Sequence, residues 1–193
     1  MSAKMKKFNF TKLSEKLPST VPFVGPETQE RLNNRLFAAR LGANENVFGP
    51  SPLAVRAMQK EAEKIWMYGD PENHDLKLQL AKKHAVQSEN IVVGEGIDGL
   101  LGYLCRLFIE PGDRVVSSLG AYPTFNFHVA GYGGQLDTVP YVNDYEDPER
   151  LVEKARETNA KLCYLANPDN PMGTWNSGKT IEKVVNNIPD GCL

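Results

Sequence analysis

Residues 114–139, RVVSSLGAYPTFNFHVAGYGGQLDTV, decide the fold, because they place a helix-forming segment between two short apolar stretches. The stretches at 114–118 and 135–139 contain β-branched residues and are bounded by glycine or proline turns, which predicts two strands. The segment between them predicts a helix over about 125–131. A strand, a helix and a second strand at this spacing predict a βαβ unit, in which the two strands run parallel.

The same alternation continues on both sides of this unit. Short apolar runs predict further strands at 91–93 and 161–166. Helical spacing of apolar residues predicts helices at 27–36, 52–65, 73–85, 98–109, 148–157 and 177–187. The sequence therefore predicts an α/β fold, a three-layer sandwich with a mostly parallel sheet and helices on both faces.

Composition narrows the class of protein. Of 193 residues, 41% are hydrophobic and 24% are charged, and the formal net charge is −2. This composition excludes a disordered chain and predicts no nucleic-acid partner. No apolar run suits a membrane span or a secretory signal. The three cysteines and three histidines lack metal-ligand spacing, so no metal is expected, and reduced cysteines predict a cytoplasmic protein.

The two ends of the chain differ from its middle. Proline and glycine repeatedly interrupt the first 36 residues, which is typical of an arm lying across another surface. We predict that residues 1–40 are an amino-terminal arm with the start of a small domain, and that residues 41–193 are a large domain. The last four residues, 190–193, read as the entry to another strand, so we expect the large domain to be incomplete at its carboxyl end.

A glycine-rich turn between a predicted strand and helix is the first candidate site. Gly94–Gly99, GEGIDG, lets the backbone approach a ligand, and the helix start offers free N–H groups with positive partial charge. This arrangement suits a phosphate. The spacing also matches a dinucleotide fingerprint, but no acid follows the next strand at Ser117–Gly120 to hold a ribose. A turn that binds nothing is the remaining alternative.

Two more candidate segments follow predicted strands, where ligands bind in open α/β sheets. In Ala121–Phe125 the ring of Phe125 can stack on a flat ligand, or it can be a core residue. In Asn167–Gly173 two Asx-Pro turns make a rigid loop that can aim the Asn170 amide at a ligand oxygen, or that is an ordinary turn. Together the three segments predict a pocket for a phosphorylated aromatic ring.

These segments resemble the fold-type-I pyridoxal-phosphate aminotransferases, and within them the histidinol-phosphate aminotransferase group. Five motifs occur in the family's order: Gly42–Pro52, Tyr68–Pro71, Gly94–Gly99, Pro123–Phe125 and Asn167–Gly173. The resemblance implies the fold of pyridoxal-phosphate-dependent transferases. It also implies transamination between a histidinol-phosphate-like amino compound, or an amino acid, and a 2-oxo acid.

The resemblance also implies roles for individual residues. The backbone at Gly96, Ile97 and Asp98 would hold the phosphate of pyridoxal 5'-phosphate. Phe125 would stack on its pyridine ring, and Asn170 would bond its phenolic oxygen. Two further roles lie in the earlier motifs: Tyr68 would reach the phosphate of a neighbouring subunit in a homodimer, and Asn44 would lie near the substrate.

Some positions depart from the family pattern. Gly99 replaces an acid, Met172 replaces threonine, and Gly69 and Val47 each replace proline, which leaves the substrate open. No lysine here has a matching context, so the catalytic residues are unknown and the Schiff-base lysine is expected beyond Leu193. A related decarboxylase, an aromatic aminotransferase, an NAD-type oxidoreductase and an inactive truncated chain stay as alternatives.

Overall fold

The computed structural model describes residues 9–18, 23–42 and 44–193. Residues 94–193, with the described part of the amino-terminal segment, form one compact unit, and the described residues of 24–93 form another. In chain order the helices are α1 (Pro26–Asn33), α2 (Pro52–Glu61), α3 (His74–His84), α4 (Gly96–Phe108), α5 (Pro123–Gly131), α6 (Pro148–Thr158) and α7 (Gly178–Asn187). The predicted boundary between residues 40 and 41 stays a prediction.

A parallel sheet is the centre of the unit formed by residues 94–193. Its strands are β1 (Arg114–Ser118), β2 (Gln135–Val139) and β3 (Leu162–Cys163), in the order β2-β1-β3. Both neighbours run parallel to β1, as the crossover helices require. The predicted bounds of β1 and β2 are confirmed.

Two predicted strands differ from the structure. The strand predicted at 161–166 pairs only over Leu162–Cys163. The strand predicted at 91–93 is wrong: these residues join no ladder with any described residue, and Val92 is 72% exposed. A short apolar run does not make a strand when it has no neighbour to complete its hydrogen bonds.

Each face of the sheet buries its own core, because successive residues of a strand point to opposite faces. Val115 belongs to a cluster with residues of α4 and α5, whereas Val116 packs with Leu151 and Ala155 of α6. All four of these side chains are fully buried or nearly so. Helices therefore cover both faces, which confirms the predicted three-layer α/β architecture.

Capping residues explain where several helices begin. The side chain of Ser51 accepts the Leu53 N–H at 3.3 Å at the start of α2. At the start of α6, Asp147 accepts from the Arg150 N–H at 3.0 Å. Each of these two helices has proline as its first residue, where the missing N–H costs nothing. At each of these helix starts, the signal in the sequence is a capping residue followed directly by proline.

The unit formed by residues 24–93 contains α1, α2 and α3. Within this unit, Arg40 forms salt bridges with the carboxylates of Glu27 and Glu30, at 2.6 Å each. Many apolar side chains of this unit are exposed, among them Phe48 and Tyr68, whose exposed fractions are 95% and 105%. The predicted arm includes residues 1–8 and 19–22, which lie outside the described residues. Among the described residues, no helix is both long and apolar enough to cross a membrane.

Candidate functional site

The start of α4 presents free backbone donors. Gly96, its first residue, has φ +70°, and nothing lies within 4 Å of where a Cβ would stand. Its own N–H donates to the Gly94 carbonyl at 2.8 Å. Contrary to the prediction, this N–H is therefore not free to bind a phosphate. The N–H groups of Ile97 and Asp98 have no acceptor among residues 44–193. Two unpaired donors at the positive end of a 13-residue helix suit an anion.

The side chain of Asp98 points away from these donors to α5. Its Oδ1 accepts a hydrogen bond from Nε2 of His128 at 2.8 Å. The imidazole lies against Gly102 of α4, where an added Cβ would stand 3.0 Å from His128 Cε1. The first turn of α4 is thus tied to α5 through a side-chain contact.

Glu95 explains why glycine stands at position 99, where the family pattern has an acid. A Cβ on Gly99 would lie 2.8 Å from Glu95 Oε2, so the Glu95 carboxylate occupies the space beside residue 99. That carboxylate also accepts from the Tyr103 hydroxyl at 3.1 Å, which raises the pKa of Tyr103. An acid at position 99 would therefore meet a carboxylate already in place, and glycine avoids that repulsion.

Phe125 lies inside the protein. Its side chain is 2% exposed, and its ring stacks on Tyr164 with centroids 4.6 Å apart and planes 20° from parallel. In this structure Phe125 is a core residue, as the alternative interpretation of the sequence had it. Its predicted contact with a cofactor ring stays a prediction, because no wide face of the ring is open here.

The Asn170 loop (residues 167–173) follows β3 and is held by Asp169. This buried carboxylate accepts from the Tyr141 hydroxyl, at 3.1 Å to each oxygen, and from the Met172 N–H at 3.1 Å. Burial and the bond to Asp169 raise the pKa of Tyr141, so its phenol stays a donor. The Asn170 carboxamide is half-buried and has no partner among residues 44–193, which leaves it available to a ligand.

A second buried carboxyl supports the base of this loop. Glu146 is 4% exposed, and its Oε2 accepts from the Ala166 N–H at 3.1 Å. Burial raises the pKa of Glu146 to about 7, and the charge of Asp169 acts in the same direction. The sequence interpretation missed Glu146, Tyr141 and His128, because each acts on a residue 20 to 30 positions away.

Several buried polar atoms lack a hydrogen-bond partner within the described residues. They are Ser117 Oγ, Ser118 Oγ, Asn126 Oδ1 and Glu146 Oε1. Two of them end β1 and one lies in the first turn of α5, at the sheet edge where ligands bind in such folds. Unpaired buried polar atoms are costly, so this edge has unused capacity for polar partners.

Asn44 and Tyr68 belong to the other compact unit. Asn44 is exposed with φ +55°, a left-handed conformation that asparagine tolerates. Tyr68 is fully exposed. The structure places Ile97, Asp98, Phe125 and Asn170 in one unit. The predicted roles of these four residues, like those of Asn44 and Tyr68, stay predictions. No cluster of three or more metal-ligating side chains occurs among the described residues.

The parallel sheet, the free donors at the start of α4 and the loop after β3 define an open α/β fold with an anion-binding type of helix start. The sequence profile of the family described as Aminotransferase class I and II matches residues 39–192. The chain belongs to this family, which confirms the resemblance seen in the sequence and removes the NAD-type oxidoreductase alternative.

Several curated relatives in this family are histidinol-phosphate aminotransferases. The chain is 31% identical to that of Moorella thermoacetica, covering 94% of this chain and 48% of the relative. It is 35% identical to that of Methanosarcina barkeri over 77% of this chain and 41% of the relative.

A solved structure shows the same similarity. Histidinol-phosphate aminotransferase from Sinorhizobium meliloti, in complex with pyridoxal 5'-phosphate, matches with a TM-score of 0.92 and 50% identity. The match covers 98% of this chain and 51% of that chain. The chain thus spans about half the length of the relatives that it matches.

Proposed function

We propose that this chain binds pyridoxal 5'-phosphate and forms the phosphate-binding part of an aminotransferase. The observation that carries the proposal is the pair of free N–H groups, on Ile97 and Asp98, at the start of α4 in a chain of this family. The residues fit the cofactor, because they offer amide donors for a phosphate and an unpaired carboxamide at Asn170 for a ring oxygen. The PLP complex of the Sinorhizobium meliloti relative supports this assignment.

Each residue of the chain has a distinct part in this proposal. The amides of Ile97 and Asp98 hold the phosphate, and the Asn170 carboxamide donates to the phenolic oxygen. Asp169 and Tyr141 keep the Asn170 loop in place. Phe125 is proposed to contact the pyridine ring. When bound, the pyridine ring would supply an electron sink that stabilises negative charge on the carbon that carries the amino group.

The proposed reaction transfers an amino group between a histidinol-phosphate-like compound and a 2-oxo acid. The names of the relatives support this substrate class. Asn44 is proposed to lie near the substrate, and the Schiff-base lysine is still expected beyond Leu193. The test is amino transfer from histidinol phosphate to 2-oxoglutarate by the protein purified from its source. If no glutamate forms from histidinol phosphate and 2-oxoglutarate, but glutamate does form from phenylalanine and 2-oxoglutarate, the aromatic-aminotransferase alternative is favoured.

We also propose a homodimer, in which Tyr68 reaches the cofactor phosphate of the neighbouring subunit. Its full exposure, and that of Phe48, suits a surface that a second copy covers. Sedimentation over a range of protein concentrations tests this, and a monomer throughout would contradict it. A cytoplasmic location is proposed as well, supported by three free thiols, and fractionation of source cells tests it.

Cofactor binding is tested by titrating the 193-residue chain with pyridoxal 5'-phosphate and following its absorbance. We expect saturable binding, competed by inorganic phosphate, and weaker binding of pyridoxal. The informative variant is Ile97→Pro, which removes one proposed donor. Proline is tolerated in the first helical turn, and the preceding Gly96 has φ +70°, outside the right-handed α region that a following proline disfavours, so α4 should form.

The matched control is Lys179→Pro, the same change at the second residue of α7, which also follows a glycine. We expect Ile97→Pro to weaken binding about tenfold, the cost of one hydrogen bond to a charged group, and Lys179→Pro to leave it unchanged. No binding by the parent chain, or equal binding by both variants, would contradict the proposal.

A further inference from the structure

Asp98 has an unusual arrangement for an acid in the first turn of a helix. It is the third residue of α4, the position from which a Glu side chain in a capping box reaches back to a backbone N–H at the helix start. In this structure its carboxylate accepts no backbone N–H from residues 94–99. It accepts instead from Nε2 of His128, which belongs to α5.

Gly102 makes this contact geometrically feasible. The His128 ring lies on the backbone of α4 at Gly102, where a Cβ would stand 3.0 Å from Cε1 and 3.2 Å from Nδ1. The ring then reaches Asp98, one helical turn before Gly102. The imidazole is 24% exposed, so it is packed between the two helices and not free on the surface. Three residues thus build one contact.

We propose that His128 is a positioning residue that holds the Asp98 carboxylate against α5 and so keeps the Ile97 and Asp98 amides open for a phosphate. This inference rests on the proposed function and deepens it. A carboxylate and a phosphate are both anions that bind the same donors at a helix start. Released from His128, Asp98 competes with the phosphate for those donors and repels it as well.

The test compares pyridoxal 5'-phosphate affinities of the 193-residue chain and four variants. His128→Leu removes the donor, and His128→Gln keeps a nitrogen donor at a similar reach. Asp98→Ala removes the competing carboxylate, and a double variant combines Asp98→Ala with His128→Leu. The matched control is His84→Leu, the same change at an exposed residue at the end of α3.

We expect His128→Leu to weaken cofactor binding about tenfold, and His128→Gln to restore most of the affinity. Asp98→Ala should bind more tightly than the parent chain, because it removes a negative charge near the phosphate and keeps the backbone amide. In the Asp98→Ala background, His128→Leu should have no further effect, because His128 acts through that carboxylate. Pyridoxal, which lacks the phosphate, should bind the parent chain and His128→Leu equally. A loss in His128→Leu that persists without Asp98 would overturn the proposal.

A second measurement needs no cofactor. In ¹H–¹⁵N spectra recorded near neutral pH, the Ile97 and Asp98 amide protons of the His128→Leu variant should lie downfield of their positions in the parent chain, because the Asp98 carboxylate now accepts from them. Equal behaviour of the two chains overturns the positioning role. If the parent chain fails to bind pyridoxal 5'-phosphate while the spectra behave as expected, the proposed function fails and the carboxylate contact stands.

Discussion

The hydroxyl of Tyr141 bonds both carboxylate oxygens of Asp169 at 3.1 Å and so ties the segment after β2 to the Asn170 loop. We expect Tyr141→Phe to lower the free energy of unfolding by about 1–2 kcal/mol, because a buried carboxylate loses a donor. Urea unfolding followed by circular dichroism measures this. Tyr145→Phe is the control, since that side chain is half exposed. Equal stability of the two variants would show that the bond contributes nothing.

The carboxyl of Glu146 should make stability depend on pH. Burial raises its pKa to about 7 from 4.5, so the folded chain holds this proton more tightly than the unfolded chain. The contribution of Glu146 to the free energy of unfolding is fully present below pH 4.5 and is lost as the pH rises through 7. Over that range we expect Glu146 to lower the free energy of unfolding by roughly 3 kcal/mol.

The variant Glu146→Gln isolates this effect, because glutamine does not titrate. Its free energy of unfolding, relative to the parent chain, should rise between pH 5 and pH 8, measured by urea unfolding at each pH. Glu89→Gln, at an exposed position, should show no such trend. A constant difference between Glu146→Gln and the parent chain would mean that Glu146 is ionised at both values of pH.

Gly134, just before β2, should not accept a side chain. An added Cβ would lie 2.9 Å from Val129 Cγ1 and 3.2 Å from the Val129 carbonyl oxygen, in the core between α5 and the sheet. We expect Gly134→Ala to cost about 1–3 kcal/mol in thermal or urea unfolding. Gly131→Ala is the matched control, since nothing lies within 4 Å of its Cβ position. Destabilisation by Gly131→Ala of the same size would disprove the steric explanation.

The thiol of Cys105 should react slowly in the folded chain. Cys105 is a fully buried residue of α4, in the cluster that contains Val115. Burial raises the pKa of its thiol to about 11, so little thiolate exists at pH 8. Iodoacetamide labelling followed by mass spectrometry should modify Cys192, which is partly exposed, before Cys105. Chain unfolded in urea serves as the reference. Labelling of Cys105 at the unfolded rate would contradict its burial.

Local signals explain which elements the sequence predicts well. β1 and β2 are bounded by glycines or prolines and contain β-branched residues, so their ends agree with the structure. Ser51 and Ser177 cap α2 and α7, and serine is a favoured residue at that position. Ile91–Val93 lacks a neighbouring strand, and no pattern within three residues can reveal that. The pairing partner of a strand is a property of the whole fold.

The candidate site is predictable in its backbone and less so in its side chains. The glycine turn at 94–99 indicates an anion-binding helix start, and the free amides of Ile97 and Asp98 agree with it. The donation by Gly96 to Gly94 depends on local dihedral angles that composition does not fix. The contact between His128 and Asp98 spans 30 residues and depends on how two helices pack.

The central position of β1 has a consequence for backbone dynamics. All its residues are paired with β2, and Val115 and Val116 are also paired with β3, so the peptide groups of these two valines are shielded from solvent until a neighbouring strand departs. Deuterium uptake should therefore begin in the outer strands and reach Val115 and Val116 last. The amide protons that exchange most slowly would therefore be those of Val115 and Val116, which belong to the two hydrophobic clusters on opposite faces of the sheet.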